Sequence, residues 1–273
     1  MTLKERLKNI LTKEELANAV RSYDLIGDIA IIEIPRKLEK KEKAIAKILL
    51  RSHKNIKTVL KKGKHAGKYR TQKLKFLEGE KNKIATHKEN NITLRLNVEK
   101  CYFSPRLSTE RKRIAEQVRG GESILVMFSG AAPYPLVIAK NTKAKEIYGV
   151  EINPEAHKFA EENVSLNRLN NIKLFLGDVK KVVPKLNKKF DRVLMPLPKG
   201  GENYLAIALK AVKKNGLVHF YDFLNEKNIP DLAVDKIKRE CEKQNKRCKI
   251  LKFKKCGQQA ARVYRVCVDF KIR

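Results

Sequence analysis

The chain has 273 residues, of which 42% are hydrophobic and 7% aromatic. These totals fit one sizeable α/β domain plus a smaller one, and they exclude wholesale disorder. The charge is unusual, because 62 Lys and Arg against 30 Asp and Glu leave a net charge of +32. A protein tolerates such self-repulsion most easily beside a polyanion, so the composition indicates nucleic-acid binding.

The five cysteines are odd in number and form no C-x-x-C pair. This pattern favours reduced thiols in a cytoplasmic protein over a zinc site or a disulfide framework. No apolar run approaches the roughly 20 residues of a membrane span, and the N-terminus is an amphipathic helix pattern rather than a signal peptide. We therefore expect a cytoplasmic monomer with no metal and no membrane partner.

The first part of the chain is predicted to be a small α+β domain. A strand is predicted at residues 25–34, a helix at 37–51, and further strands at 57–62 and 93–98. The polar, Gly-punctuated segment between the last two strands suits an RNA-facing loop or ribbon. Residues 36–88 contain 19 Lys and Arg against four acids. We therefore assign residues 1–100 to a small basic domain that faces RNA.

The remainder, residues 101–273, alternates strands with helices. A helix at 108–118 is followed by strands at 123–128, 146–150, 172–178, 190–197 and 216–223, with helices at 154–166 and 202–212. The chain then ends in a helix at 231–244 and two strands near 247–253 and 262–270. This alternation predicts a parallel sheet with right-handed crossovers. With the closing antiparallel hairpin, it predicts the Rossmann-like α/β sheet of a class I S-adenosylmethionine-dependent methyltransferase.

Groups that suit this cofactor follow the first two strands. In an open α/β sheet, ligands bind beyond the carboxyl ends of the strands, where strand order reverses. Phe128, Ser129 and Gly130 begin a small-residue turn that lets the backbone approach a ligand closely. Glu151, followed by Ile152, ends the next strand, where a carboxylate can accept hydrogen bonds from both ribose hydroxyls.

The third and fourth strands end in comparable groups. Asp178, followed by Val179, is placed to read an adenine amino group. Pro196, Leu197 and Pro198 form a rigid, apolar lip near the reacting methyl group. Each feature alone is common, since one acid after a strand is often a helix N-cap. Together and in order they predict S-adenosylmethionine binding, and the lack of a G-x-G-x-x-G motif disfavours NAD.

Four segments together resemble the archaeal and eukaryotic tRNA (guanine(37)-N(1))-methyltransferase family. They are FSPRLSTER at 103–111, MFSGAAPYP at 127–135, YGVEINPEA at 148–156 and DRVLMPLPK at 191–199. LIGDIAII and the KYR stretch around Arg70 are similar to the small middle domain of that family. The resemblance spans nearly the whole chain from about Asp24, and it implies tRNA as the substrate and guanine 37, 3′ of the anticodon, as the target.

The resemblance also implies catalytic roles. Glu110 would be the general base that takes the N1 proton of guanine, which is a poor nucleophile until that proton leaves. Arg70 would stabilise the negative charge that develops on O6 in the transition state. Without the resemblance, Glu110 reads as an acid favoured by a helix N-terminus, and Arg70 as one cation of many. His219, on an apolar strand, is expected to be a satisfied core histidine.

By the same resemblance, further side chains would line the cofactor site: Tyr102, Arg111, Glu151, Asp178, Pro196 and Pro198. Three departures from the family pattern stand out. Val126 occupies a position in the first sheet strand where the family often has an acid, and Pro196 replaces a frequent Asn. The separate N-terminal domain with which the family recognises the tRNA elbow is expected to be missing.

Three alternatives stay open at this point. A wyosine-pathway aminocarboxypropyltransferase has a similar fold and the same cofactor, although Arg106 and Glu110 favour the methyltransferase. A bifunctional enzyme could methylate both guanine and a wyosine precursor. A non-catalytic RNA-binding protein with a methyltransferase fold is disfavoured by the intact Glu110, Arg70, Glu151 and Asp178.

Overall fold

The computed structural model describes residues 3–19, 23–67, 69, 71–197 and 199–273. The chain divides into two compact units, Met1–Glu89 with Thr93–Arg106 and Asn90–Ile92 with Leu107–Arg273. The division after Arg106 lies a few residues beyond the predicted boundary at residue 100. Tyr102 therefore belongs to the first unit and not, as predicted, to the catalytic one.

The first unit combines short helices with a four-stranded sheet. Its helices are α1 (Leu3–Leu7), α2 (Lys13–Asn18) and α3 (Glu42–Ser52), the last preceded by a 3-10 turn at Arg36–Lys41. The sheet has the order β1 (Tyr23–Ile26), β2 (Ile29–Ile32), β3 (Thr58–Ala66) and β4 (Thr71–Gly79), in which only β2 and β3 are parallel. β5 (Ile84–Glu89) and β6 (Ile92–Asn97) form a separate pair. Leu38, Ile45 and Leu49 pack against this sheet in one buried cluster.

Two sequence-based expectations for this unit were wrong. The single strand predicted at 25–34 is a hairpin that turns at Gly27, whose φ is +58°. A Cβ at Gly27 would lie 2.4 Å from the carbonyl oxygen of Thr86, so both the turn and the close approach require glycine. The N-terminal helix pattern is two short helices, because Thr12 starts α2 with a capping box to Glu15.

The second unit is a seven-stranded sheet flanked by helices. In chain order it contains α4 (Ser108–Ala115), β7 (Ser123–Met127), α5 (Pro133–Asn141), β8 (Glu146–Glu151), α6 (Pro154–Leu166), β9 (Ile172–Leu176), α7 (Val179–Lys185), β10 (Phe190–Met195), α8 (Leu205–Ala211), β11 (Val212–Asn225), α9 (Asp231–Lys243), β12 (Cys248–Ala260) and β13 (Val263–Ile272). Helices α5 and α7 did not figure among the predicted elements.

The order of this sheet is β12-β13-β11-β10-β7-β8-β9. β13 is antiparallel to both of its neighbours, β12 and β11, and the other neighbouring strands are parallel to each other. Strand order reverses at β7, which pairs with β8 on one side and β10 on the other. Every residue of β7 is buried, as expected for a central strand covered on both faces. The predicted fold class, an α/β class I methyltransferase sheet with a small N-terminal α+β domain, is confirmed.

Within the described residues, the helices are too short or too polar to cross a bilayer.

Candidate cofactor and catalytic site

Residues 128–132, which we call the cofactor turn, follow β7 at the point where strand order reverses. Phe128, Gly130 and Ala132 all have left-handed φ angles, of 58°, 58° and 66°. The Ser129 N–H donates to the carbonyl of Val150 at 2.9 Å, so the turn is fixed against the end of β8. In this conformation the Gly130 N–H points toward the acid that ends β8.

That acid is Glu151. Its Oε2 accepts the Gly130 N–H at 2.7 Å, and its Oε1 accepts the Asn153 N–H at 2.8 Å. Burial raises the pKa of Glu151, and these main-chain donors partly oppose the shift. A carboxylate has about four acceptor positions, so Glu151 retains capacity for the two hydroxyls of a ribose.

The cofactor turn also contains an unsatisfied polar atom. Ser129 is 4% exposed, and its hydroxyl is buried without a hydrogen-bond partner among the described residues. A buried orphan of this kind is costly unless something binds to it. The turn itself is braced, because the Asn163 side chain donates to the Ala131 carbonyl at 3.1 Å. The free hydroxyl and the spare capacity of Glu151 fit a polar ligand such as S-adenosylmethionine.

Asp178 follows β9 and begins α7. Its Oδ1 accepts the Lys180 N–H at 2.8 Å, so the residue does serve as a helix N-cap. Burial raises the pKa of Tyr204, and the nearby charge of Asp178 adds to this shift. The Tyr204 ring meets Phe128 edge-on, with ring centroids 4.9 Å apart. Phe128, Tyr204 and Asp178 therefore form an aromatic wall beside an acid, a combination that suits an adenine ring.

The remaining predicted cofactor contacts differ in how much of their surface is exposed. Ile152, Pro196 and Leu197 are half-buried, and the Leu197 N–H donates to the Met195 carbonyl at 2.7 Å in a tight turn. Val179 is 3% exposed and packs inside the main core, which leaves its side chain little surface for a ligand. Pro198 lies outside the described residues.

Glu110 lies in the first turn of α4 and is 5% exposed. Arg113 donates to both of its oxygens, from Nε to Oε2 and from Nη2 to Oε1, each at 2.7 Å. The Tyr221 hydroxyl donates to Oε1 at 2.7 Å and accepts a hydrogen bond from the Tyr134 hydroxyl at 3.1 Å. Tyr134 is the second residue of α5, directly after the cofactor turn. Two hydrogen bonds therefore connect Glu110 to the helix that this turn begins.

The contacts of Glu110 continue into what we call the buried charge network: Glu110, Arg113, Asp269, His219, Arg192 and Glu122. Arg113 Nη1 lies 2.6 Å from Asp269 Oδ2, and His219 Nδ1 lies 2.6 Å from Asp269 Oδ1. Arg192 Nη1 lies 2.7 Å from His219 Nε2, and Arg192 Nε pairs with Glu122 at 2.7 Å.

The tautomer of His219 follows from these partners. A guanidinium can only donate, so Nε2 accepts from Arg192 and Nδ1–H donates to Asp269. Burial lowers the pKa of His219, which keeps the ring neutral. Burial raises the pKa of Asp269, but hydrogen bonds from His219 and Arg113 outweigh it and hold the pKa well below the usual range. His219 is fully buried with both nitrogens engaged, which confirms the expected core histidine.

Possible metal ligands cluster at His219, Cys267 and Asp269 among the described residues. Their polar atoms are already in use, because the Cys267 thiol donates to Asp269 at 3.2 Å and Arg192 donates to His219. The guanidinium of Arg113 also lies against Asp269. Two fixed cations beside the cluster favour an ion-pair network over a cation site.

Two further predicted cofactor contacts, Arg111 and Tyr102, and the predicted catalytic Arg70 remain. Arg111 is 1% exposed and lies beside Glu110 on α4. Tyr102 is half-buried in the first unit. Arg70, which the resemblance implies as the O6 partner, lies outside the described residues.

Sequence reasoning missed Arg113, Tyr221 and Asp269. Arg113 follows Glu110 by three residues on a predicted helix, and this spacing places two side chains on one face. An ion pair could therefore have been predicted. Tyr221 and Asp269 gave no local signal, because their partners lie 111 and 156 positions away along the chain.

The sheet order, the turn after β7, Glu151 and the wall beside Asp178 define a class I S-adenosylmethionine-dependent enzyme. Residues 85–251 match the family described as the TRM5/TYW2 methyltransferase domain, and residues 3–82 match the TYW2 N-terminal domain. The chain belongs to the TRM5/TYW2 family. This confirms the family resemblance and the predicted cofactor, S-adenosylmethionine.

Curated relatives carry several activities. The chain is 37% identical to tRNA (guanine(37)-N(1))-methyltransferase Trm5b of Pyrococcus abyssi, over 92% of this chain and 74% of the relative. It is 34% identical to tRNA (guanine(37)-N(1))/4-demethylwyosine(37)-methyltransferase Taw22 of Nanoarchaeum equitans, over 91% and 98%. It is 30% identical to tRNA(Phe) (4-demethylwyosine(37)-C(7)) aminocarboxypropyltransferase of Methanocaldococcus jannaschii, over 91% and 97%.

Several solved structures of this family are similar to this chain. The crystal structure of Trm5b from Pyrococcus abyssi matches with a TM-score of 0.89 at 35% identity, over 96% of this chain and 78% of that one. A complex of aTrm5 with tRNALeu matches with a TM-score of 0.89 at 31% identity, over 100% and 78%. TYW2 of M. jannaschii in complex with AdoMet matches with a TM-score of 0.71 at 26% identity, over 92% and 99%.

Proposed function

We propose that this enzyme transfers the methyl group of S-adenosylmethionine to N1 of guanine 37 in tRNA. The observation that carries the proposal is the placement of Glu110. Its buried carboxylate is oriented by Arg113 and Tyr221, and it is connected through Tyr134 to the helix that the cofactor turn begins. A reaction that must remove a proton from a poor nucleophile needs a carboxylate positioned in this way.

In this proposal each residue has a separate role. S-adenosylmethionine supplies an electrophilic methyl group when bound. Glu151 holds the ribose hydroxyls, and the cofactor turn supplies the Ser129 hydroxyl to the polar end of the ligand. Glu110 accepts the N1 proton of guanine, and the electron pair of that N–H bond stays on N1, which becomes the nucleophile. Arg70 is proposed to stabilise the charge on O6.

The first unit is proposed to bind the tRNA backbone. Alternation along β4 leaves Lys73 and Lys75 exposed while Gln72, Leu74 and Leu77 are buried. An open cavity of about 790 Å³ in the same unit is lined in part by His87, Lys88 and Arg95. Cations on an exposed strand attract phosphates and release condensed counterions. The tRNA complex of the similar aTrm5 supports the same partner.

A second candidate is action on 4-demethylwyosine 37, as a methyltransferase or as an aminocarboxypropyltransferase. Its support is the set of relatives with these activities, which this chain matches over 97% or 98% of their length. The match of residues 3–82 to the TYW2 N-terminal domain adds to it. The aminocarboxypropyl reaction breaks a different carbon–sulfur bond of the same sulfonium, so the product distinguishes the candidates.

The test is nucleoside mass spectrometry after incubation with S-adenosylmethionine and three tRNAs. The first carries unmodified guanine 37, the second adenine 37 as the matched control, and the third 4-demethylwyosine 37. We expect 1-methylguanosine from the first tRNA and none from the second. Product from the third tRNA alone would replace our proposal with the second candidate, and product from both the first and the third would make the enzyme bifunctional.

A further inference from the structure

One guanidinium in the buried charge network is shared between two carboxylates. Arg113 points Nε and Nη2 at Glu110, and it points Nη1 at Asp269 at 2.6 Å. Nη2 also lies 3.3 Å from the other oxygen of Asp269. Glu110 and Asp269 are 5% and 3% exposed, and the Arg113 side chain is 14% exposed. Solvent therefore contributes little to the charge balance of this triad.

We propose that Arg113, Asp269 and Tyr221 are positioning residues that orient Glu110 and set how readily it accepts a proton. The proposal rests on the proposed role of Glu110 as the base for guanine N1. It assigns functions to three residues that do not themselves touch the reacting atoms.

The charge balance gives the physical reason. An arginine paired only with Glu110 would strongly favour the ionised carboxylate and make it a poor base. Asp269 adds a second negative charge on the far side of the same guanidinium, which offsets that effect. The triad carries a net charge of −1 before proton transfer and 0 after it. Protonation of Glu110 therefore leaves Arg113 with a charged partner instead of an unpaired buried cation.

Hydrogen-bond partners fix the orientation of the Asp269 carboxylate and of the Tyr221 hydroxyl. Neutral His219 donates to Asp269, and His219 is held in turn by Arg192 and Glu122. The Tyr134 hydroxyl donates to the oxygen of Tyr221, so the Tyr221 proton is directed at Glu110. Both carboxylate oxygens of Glu110 are thereby held in place before the substrate arrives.

The other titratable groups around Glu110 keep a constant charge state near neutral pH. Burial raises the pKa of the Cys256 and Cys267 thiols and of the Tyr134 and Tyr221 hydroxyls, so all four stay neutral. Burial lowers the pKa of Arg113, but hydrogen bonds to Glu110 and Asp269 raise it by more than burial lowers it. Arg113 therefore stays a cation.

Asp269 and Arg111 are two further charged groups near Glu110. Asp269 stays ionised, because its hydrogen bonds to His219 and Arg113 outweigh the effect of burial on its pKa. Arg111 is the neighbouring cation on α4. A movement of the acidic limb of the pH–rate profile on substitution of Arg113 or Asp269 therefore reports on Glu110.

The test is a pH series of single-turnover rates for the full chain, with saturating S-adenosylmethionine and unmodified tRNA. Arg113→Gln removes the positive charge, and we expect the acidic limb to move up by about one pH unit. Asp269→Asn removes the second negative charge, and we expect the limb to move down and the plateau rate to fall about 10-fold. Arg239→Gln is the control, because Arg239 is exposed on α9 and lies outside the buried charge network.

Opposite displacements for Arg113→Gln and Asp269→Asn, with the limb of Arg239→Gln unmoved, would support the proposal. Equal displacements or none would overturn it, since a merely structural role lowers the rate without moving the limb in opposite directions. If the base role of Glu110 is itself wrong, Glu110→Gln reacts at a normal rate. A slow Glu110→Gln with unmoved limbs in the other variants removes only the positioning inference.

Tyr221→Phe is a milder variant that keeps the ring and deletes one hydrogen bond to Glu110. Loss of a donor to the ionised form should move the acidic limb up and slow the plateau several-fold, with the KM for tRNA unchanged. Tyr148→Phe is its control, since Tyr148 is a buried tyrosine on β8 whose hydroxyl accepts from Lys173. An unmoved limb in Tyr221→Phe would remove Tyr221 from the set.

Discussion

At the carboxyl ends of β7 and β8, Glu151 accepts its hydrogen bonds from the main-chain N–H groups of Gly130 and Asn153. On α4, Glu110 accepts its hydrogen bonds from the side chains of Arg113 and Tyr221. The first carboxylate is held by main-chain donors, and the second is held in part by a guanidinium that it shares with Asp269. Burial raises the pKa of Glu151, whereas hydrogen bonds and ion pairing outweigh burial and lower the pKa of Asp269 in the buried charge network.

The difference between main-chain and side-chain donors has functional consequences. Main-chain donors leave a carboxylate with free acceptor positions that suit a neutral diol, and among substitutions only proline deletes such a donor. Side-chain donors fix orientation and basicity, and each can be removed singly. The cofactor end of the site should therefore respond to substitutions in binding, and the Glu110 end should respond in chemistry and in pH dependence.

The largest expected effect is on cofactor binding by Glu151→Ala. This change deletes the proposed acceptor for two ribose hydroxyls, and we expect S-adenosylmethionine affinity to fall about 10²-fold or more. Titration calorimetry measures it. Glu161→Ala is the matched control, because Glu161 lies on the next helix with a side chain that is 63% exposed. An affinity within about twofold of the unsubstituted protein would show that Glu151 does not bind the ribose.

An effect of similar size is expected on stability from Asp269→Asn. The pKa of Asp269 is depressed in the folded state, so its contribution is present above the unfolded pKa of about 3.9 and is lost as pH falls. We expect the free energy of unfolding to drop by about 3 kcal/mol at pH 7. Urea unfolding at pH 7 and near pH 3 checks it. A deficit that does not shrink on acidification would contradict the ion-pair account.

The smallest of these effects is expected from Gly149→Ala on β8. The new Cβ would lie 2.8 Å from Leu174 Cδ2 and 3.1 Å from Ser129 Oγ, so the cofactor turn must shift. We expect a loss of about 1–2 kcal/mol of stability and a several-fold weaker cofactor affinity. Gly120→Ala is the control, since its Cβ would meet nothing closer than 3.6 Å. Equal thermal unfolding and cofactor affinity in the two variants would remove this packing constraint.

The cofactor end was predictable because its signals are local. Phe128, Ser129 and Gly130 follow a continuous apolar strand, and Glu151 and Asp178 each end a strand before a helix. Sheet topology then brings these ends together without further information. The apolar runs likewise gave the order of alternating strands and helices, and helix α6 begins and ends where predicted.

The buried charge network was not predictable in the same way. His219 and Asp269 face each other only because β11 pairs with β13 in one register. One residue of slip would send these side chains to opposite faces. The hairpin at Gly27 was missed for a related reason, because the close approach of Thr86 that requires glycine is a tertiary contact.

The central claim is that Glu110, held by Arg113 and Tyr221, takes the N1 proton of guanine 37. The most direct test is the single-turnover rate of Glu110→Gln with saturating S-adenosylmethionine and unmodified tRNA, beside separate binding titrations for each. We predict a rate lower by about 10²-fold or more, with both affinities unchanged. A near-normal rate would contradict the account, because an amide in that position cannot accept the proton.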